Sequence, residues 1–422
     1  MTVTEYRNDH LGEMYVKAEH KSGLTVYICP KPDYSTAYAV FGTKYGSVDS
    51  KFKKDKGEWI EVPAGIAHFL EHKLFESEDG DAFSRYAKTG AYANAYTSFD
   101  RTCYLFSCSD RFEENLDILL DFVQSPYFTK ETVQKEQGII GQEIRMYEDN
   151  ANWCVFFNLL SALYKNHSVK INIAGTVESI AQITDRLLYD CYYTFYNLSN
   201  MFICVVGNVD IDKTLKQIES SLKESEPVEI ERSGFSEPRE VVKHYIDQKL
   251  PVSQPLFCLG YKDECGAEIK PLDIRIHTLF LLMVLMDKAS PLFKKLVDEG
   301  LINENIGLEY FAGFGYAASI IKGESSDPKR VAEEINSEIK RLKTEGIDQK
   351  LFEGIRRKLY GAAVMVFNDV ENIGYEITDC AINGNDLYDT IEIIRNTKIE
   401  DVINRLEAFD EKYMALSVIS PN

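Results

Sequence analysis

Val62–Glu76 reads VPAGIAHFLEHKLFE, and this stretch decides how the rest of the chain is to be understood. His68 and His72 stand four residues apart within it, with Glu71 between them. On a helix, positions i and i+4 lie one above the other, so the two imidazoles face one point in space. Zinc accepts histidine nitrogens at about 2.0–2.1 Å, which suits such a pair without distorting the backbone. Glu71 is three residues after His68 and borders the same face, where it is placed to orient a water and take its proton.

A helix that happens to carry two histidines is the plain alternative. The chain has only 7 His, however, and two of them fall in this arrangement beside a glutamate. HxxEH is among the inverzincin signatures, and its apolar flanks suit a buried helix. A catalytic zinc usually has three protein ligands and a water, so one more ligand is needed. His10, His20, His167, His244 and His277 lack an acidic or histidine partner at ligand spacing and read as surface or packing residues. The acidic candidates are Glu136 and Glu143 in KEQGIIGQEIRMYED, two helical turns apart along one face. A solvated face would show the same pair of glutamates, so spacing alone leaves the third ligand open.

The chain has 422 residues, and a single core rarely grows beyond about 250–300, so at least two domains are expected. An apolar fraction of 45% and a charged fraction of 27% exclude a disordered chain. With 47 Lys+Arg against 67 Asp+Glu the net charge is −20, which argues against nucleic acid or an anionic membrane as the main partner. The run Leu279–Met286 is far short of a spanning helix, and MTVTEYRNDHLGEMY does not read as a secretory signal. Nine cysteines (29, 103, 108, 154, 191, 204, 258, 265 and 380) form no CxxC and lie mostly in apolar runs. Reduced, buried thiols in a cytoplasmic protein are therefore expected. A GxSxG elbow and a Gly-rich phosphate loop are both missing, which disfavours a serine hydrolase or a nucleotide-driven machine.

Strand-like runs at Leu24–Ile28, Ala37–Gly42, Thr102–Cys108 and Met201–Val206 alternate with helical ones at Glu113–Val123, Lys130–Tyr147, Ile180–Tyr193 and Thr214–Leu222. The charged, proline-containing segment 223–240 reads as an interdomain linker, after which the pattern restarts. Strands are expected at Pro255–Tyr261 and Tyr316–Lys322, and helices at Ile274–Met286, Pro328–Lys343 and Leu351–Phe367. Both halves end alike, NLSNMFICVVG in the first and FDEKYMALSVIS in the second, each after a helix with apolar 3–4 spacing. An internal duplication follows, with a zinc-binding domain at 1–222 and a second domain of the same fold at 241–422.

These motifs together resemble the pitrilysin family of zinc peptidases, which includes insulin-degrading enzyme and the mitochondrial processing peptidase. HFLEH followed by a Glu-x6-Glu pair is similar to the family's metal motif. Tyr92-Ala93-Asn94-Ala95-Tyr96-Thr97 resembles its Asn-Ala-x-Thr strand, and Gly175-Thr176-Val177-Glu178-Ser179-Ile180 its Gly-Thr-x-x-Ser-Ile segment. Phe195-Tyr196, Asn200-Met201 and Gly207-Asn208-Val209 resemble the end of its first domain. The resemblance implies an α+β fold of two similar domains, each a mostly antiparallel sheet backed by helices. It implies zinc on His68, His72 and Glu143, with Glu71 as general base and Glu136 as an auxiliary carboxylate. It also implies that Asn94, Ala95, Tyr96 and Thr97 form a sheet edge to which an extended peptide adds main-chain hydrogen bonds.

One departure from the family bears on the assembly. Active members also use an Arg-x6-Tyr pair from the C-terminal half to polarise the peptide carbonyl. Phe293–Tyr310, FKKLVDEGLINENIGLEY, does not show it: Val297 and Glu304 fall nearest the two positions, with Tyr310 and Lys295 as substitutes under a shifted alignment. The second half also lacks HxxEH and offers His277 alone. The chain is therefore expected to be a zinc endopeptidase acting on peptides or unfolded segments beside a related partner chain lacking HxxEH, or as a homodimer. A subunit that binds peptides without cutting them is the alternative, against which the intact Glu71 counts.

Overall fold

The computed structural model describes residues 1–78, 80–264, 266 and 268–422, so that Cys265 lies outside the described residues. The first large sheet has seven strands: β1 (Thr2–Asn8), β2 (Glu13–Glu19), β3 (Thr25–Pro30), β4 (Ala37–Thr43), β5 (Tyr92–Thr97), β6 (Thr102–Cys108) and β7 (Met201–Gly207). They run in the order β1-β2-β3-β7-β4-β6-β5. The second has five: β8 (Tyr245–Leu250), β9 (Leu256–Lys262), β10 (Gly307–Gly313), β11 (Tyr316–Glu324) and β12 (Met414–Pro421), in the order β8-β12-β9-β11-β10.

The duplication is written in this topology. β3-β7-β4-β6-β5 recurs as β8-β12-β9-β11-β10, and in each set one pair is parallel (β3 with β7, β8 with β12) while the others are antiparallel. The two similar segment ends are β7 and β12, which return as central strands. β4, β7 and β9 are buried at every position, which is why AYAVFGT, MFICVVG and LFCLGYK read as unbroken apolar runs rather than as alternating ones. The α+β class and the mostly antiparallel sheets agree with the expectation.

The compact units are not contiguous halves. One comprises 1–144, 172–233 and 364–387, the other 145–171, 234–363 and 388–422. These units differ from a division at 1–222 and 241–422 at two helices. Five helices matter below: α1 (Ile66–Leu74), α2 (Lys130–Glu148), α3 (Ala151–Leu163), α4 (Leu272–Met286) and α5 (Val370–Asn383). α5, from late in the sequence, covers β7 and β4 of the first sheet, whereas α3, from early in it, covers the equivalent strands β12 and β9 of the second. Close approach needs a glycine at each cover: a Cβ on Gly374 of α5 would stand 2.4 Å from the Tyr38 ring, and one on Gly260 of β9 would stand 3.0 Å from Leu159 of α3.

Segment 223–240 is pinned on both sides of the unit boundary at Ser233/Gly234. Ile230–Arg232 pairs with Lys54–Phe52 as an extra strand. Further on, Glu237 accepts backbone N–H bonds from Lys165, Asn166 and His167. Fully buried Lys262 donates to Glu237 at 2.7 Å and to the carbonyl of Leu163 at 2.8 Å. The helix expected over Ile180–Tyr193 is two, Val177–Ile180 and Asp185–Phe195, because the Thr184 side chain caps a new start. The stretch Leu272–Asp298 has the length and apolar composition of a membrane span, a property the run Leu279–Met286 conceals. It is mostly buried, and α4 within it forms the core of the second unit through Phe280, Leu281, Leu282 and Leu285.

Candidate metal centre

α1 begins at Gly65, whose φ of +90° suits glycine and whose Cβ, if present, would meet the Ala174 carbonyl oxygen at 2.4 Å. That contact explains the Gly-Thr-x-x-Ser-Ile segment. Thr176 and Ser179 form a capping box on Val177–Ile180, and the Ser179 hydroxyl donates to the Ala64 carbonyl at 2.8 Å. The segment thus braces the entry to α1. The helix is almost wholly buried; His68 and Glu71 are each 8% exposed.

His68, His72 and Glu143 come together as a group able to hold a metal, their donor atoms all within 4.8 Å of one another. His68 Nε2 lies 3.6 Å from Glu143 Oε1, and His72 Nε2 lies 3.5 Å from Glu143 Oε2. Both gaps are too long for hydrogen bonds. They match the roughly 3.4 Å separating two atoms that each sit about 2.1 Å from one tetrahedral centre. Glu136 is not in this group. Its Oε1 lies 3.0 Å from His72 Nδ1, which directs Nε2 of that ring toward Glu143. Buried His68 Nδ1 has no such partner.

The field here calls for a cation. Burial pushes the His72 imidazolium toward losing its proton, but the Glu136 bond and the charges of Glu71 and Glu143 outweigh burial and raise its pKa above the ordinary value. Two imidazoles facing three carboxylates therefore fit a divalent ion with nitrogen and oxygen ligands.

Glu71 points elsewhere. Its Oε2 accepts a 2.6 Å bond from the Thr97 hydroxyl, the last residue of β5. β5 is the free edge of the first sheet. Ser98 N bonds Arg101 O, which puts Tyr96, Asn94 and Tyr92 in the hydrogen-bonded pairs with β6 and turns the backbone groups of Thr97, Ala95 and Ala93 outward. In agreement, the Ala95 N–H donates to the Asn94 side-chain oxygen at 2.9 Å instead of making a ladder bond. So Thr97 and Ala95 offer main-chain groups, while Asn94 and Tyr96 send side chains to the opposite face.

In the second unit, Val297 packs against the core and Glu304 is an exposed partner of Lys288 at 2.8 Å. Lys295 pairs with Glu334 at 2.6 Å on the surface. Tyr310 lies on β10, the strand equivalent to β5, and its hydroxyl donates to Asp263 at 2.7 Å. Arg405 pairs with the same carboxylate, 95 residues downstream of Tyr310. Burial opposes charge on Asp263, but Arg405 and the Tyr310 bond more than offset it and hold its pKa low. No spacing rule in the sequence could have joined Arg405 to Tyr310. Counted back from Tyr310, the Arg-x6-Tyr spacing reaches Asn303, whose side chain donates to Glu324 at 2.8 Å.

A duplicated α+β chain with an HxxEH helix and a later acidic helix has the build of the inverzincin class. Residues 57–177 match the model described as Insulinase (Peptidase family M16), and 182–359 match that of the Peptidase M16 inactive domain. The chain is 40% identical to the uncharacterized zinc protease YmfH of Bacillus subtilis over 407 residues, 94% of each chain. It is 26% identical to an uncharacterized zinc protease of Rickettsia felis, covering 95% of this chain and 96% of the other. The crystal structure of an M16-like peptidase from Alicyclobacillus acidocaldarius superposes with a TM-score of 0.94 at 35% identity, over 97% of this chain and 99% of that one. Pitrilysin shares the fold, with a TM-score of 0.77 at 17% identity, covering 99% of this chain and 46% of its own. The chain belongs to the M16, or insulinase, family of peptidases.

Proposed function

We propose that this chain is a zinc-dependent endopeptidase acting on peptides or unfolded segments, and that it works as one subunit of a two-chain peptidase. The observation that carries this reading is the convergence of His68, His72 and Glu143, with Glu71 buried beside them and tied to the strand edge.

His68, His72 and Glu143 would hold the metal, which when bound lowers the pKa of water and polarises a carbonyl. β5 binds the extended substrate through the main chain of Ala95 and Thr97, with Asn94 and Tyr96 flanking it. Glu71 takes a proton from the attacking water and returns it to the leaving amine, while Thr97 keeps its carboxylate aimed. Glu136 holds His72 in the tautomer that leaves Nε2 as donor. No serine or cysteine nucleophile is needed.

A related chain without HxxEH would supply the carbonyl donor that Asn303 and the Asp263-bound Tyr310 do not offer; a homodimer is the other assembly. A cytoplasmic location accords with the eight described cysteines, which are thiols rather than disulfides. The match of 182–359 to an inactive domain concerns the half without HxxEH, so it does not favour a subunit that merely binds peptides. Glu71→Gln keeps size and removes the proton acceptor, so zinc content should stay at one per chain while hydrolysis of a peptide mixture falls at least roughly a hundredfold. Cleavage at the normal rate would overturn the assignment of the base.

A further inference from the structure

The face of β5 turned away from α1 carries groups that the hydrolytic machinery does not use. Tyr92 is 65% exposed and Tyr375, on α5, is 51% exposed, unusual for such large rings. Their placement is not accidental. α5 packs through Ile373, Gly374, Ile377 and Ala381, which leaves Glu371, Tyr375 and Asp379 on the flank that looks toward β5. Tyr375 stands 6.1 Å from Tyr96 and 6.4 Å from Tyr38, ring to ring. Asp379 reaches Arg101, beyond the end of β5, at 3.1 Å.

The charges along this flank are unevenly satisfied. Arg101 is neutralised by Asp100 at 2.8 Å together with Asp379. Exposed Glu371 has no ion pair among the described residues, and it lies close enough to Tyr375 to help raise the pKa of its phenol, after burial and ahead of Tyr92. Two open aromatic faces beside an unpaired carboxylate are the chemistry that recognises an alkyl ammonium or a guanidinium.

The edge decides what brings such a group there. A strand added to Ala93, Ala95 and Thr97 sends alternate side chains to opposite faces of the sheet. One set faces Glu71, and the other passes over Tyr92, Tyr96 and Tyr375. We propose that Tyr92, Tyr375 and Glu371 form a subsite for a lysine or arginine side chain of a peptide lying along β5. This rests on the peptidase reading and adds to it a substrate class, extended basic peptides, in keeping with the chain's net charge of −20.

The test walks one Lys along an otherwise neutral nine-residue peptide and measures binding to zinc-loaded Glu71→Gln protein by fluorescence anisotropy. Affinity should rise about five- to tenfold with Lys at every second position and not at those between. Glu371→Lys should invert the preference in favour of Glu at the same positions, Tyr375→Ala should abolish it and Tyr375→Phe should keep it. Both substituted residues are exposed, and unchanged melting temperatures verify that the variants fold. A flat response to Lys in the parent, or a periodic response that Glu371→Lys leaves intact, overturns the subsite. If the unsubstituted enzyme nonetheless cleaves peptides, the peptidase reading survives that result. Failure both to bind and to cleave overturns the two together.

Discussion

Thr97 donates its hydroxyl to Glu71 across 2.6 Å, so the strand proposed to hold the substrate also holds the proposed base. Seating a peptide on β5 and aiming the proton acceptor are thereby coupled. Thr97→Val keeps the shape and removes the bond. It should leave zinc content unchanged and lower kcat by about 10–100-fold, the usual effect of losing a supporting hydrogen bond, with Thr97→Ser restoring most of the rate. A variant with full kcat and raised KM would show that Thr97 serves the edge alone.

The two glutamates of α2 separate by metal analysis. Glu143→Gln removes a proposed ligand and should lower zinc occupancy sharply. Glu136→Gln loosens His72 and should act mainly on rate, by roughly 10–100-fold, with zinc retained. The opposite ranking would exchange their roles, and full occupancy in both would remove Glu143 from the ligand set.

Partnership is tested by reconstitution. A lost carbonyl donor costs about 10²–10³ in rate, so the purified chain should be a weak peptidase. Adding a related chain that lacks HxxEH and carries Arg-x6-Tyr should raise turnover and give a one-to-one complex in sedimentation. Full activity of the single chain, with no gain from any second chain, would overturn the two-chain reading.

His167 gives a pH dependence that has nothing to do with catalysis. It is fully buried, its Nδ1 accepts Val169 N–H at 3.0 Å and its Nε2 donates to the Phe314 carbonyl at 2.9 Å, so the ring is held neutral. Burial lowers its pKa to about 4 from an ordinary 6.5. Between those values the unfolded chain binds the proton and the folded one does not, so stability is intact above pH 6.5 and falls as pH drops toward 4. Urea unfolding at pH 7 and pH 4.5 should show the unsubstituted protein losing roughly 2–3 kcal/mol more than His167→Gln does. Equal losses in the two proteins would show that His167 titrates normally.

Much of this was legible in the sequence, and the reason is local. The imidazole pair on α1 depends on a helical period alone, and the buried central strands announce themselves as unbroken apolar runs. Spacing left the choice between Glu136 and Glu143 open, because two turns of α2 present both carboxylates to one side and only the placement of α1 distinguishes them. The Thr97 bond to Glu71 and the meeting of Tyr310 with Arg405 join distant segments, so no periodicity could record them. α3 and α5 escaped for a related reason: α3 is apolar along most of its length and α5 is amphipathic, and either pattern says that a surface is buried but not against which sheet.

The exchange of α3 and α5 sets the order of events when the chain is made. The first sheet has all seven of its strands once Gly207 leaves the ribosome, yet its cover over β4 and β7 is not synthesised until Val370–Asn383. For more than 160 residues of translation, Tyr38 and the apolar faces around it have no native cover. At about 5–20 residues per second that interval lasts roughly 8–30 seconds, far longer than a collapsed sheet needs to find a wrong partner. Nascent chains should therefore depend on a holdase until their last fifty residues emerge, and chains halted before residue 370 should aggregate.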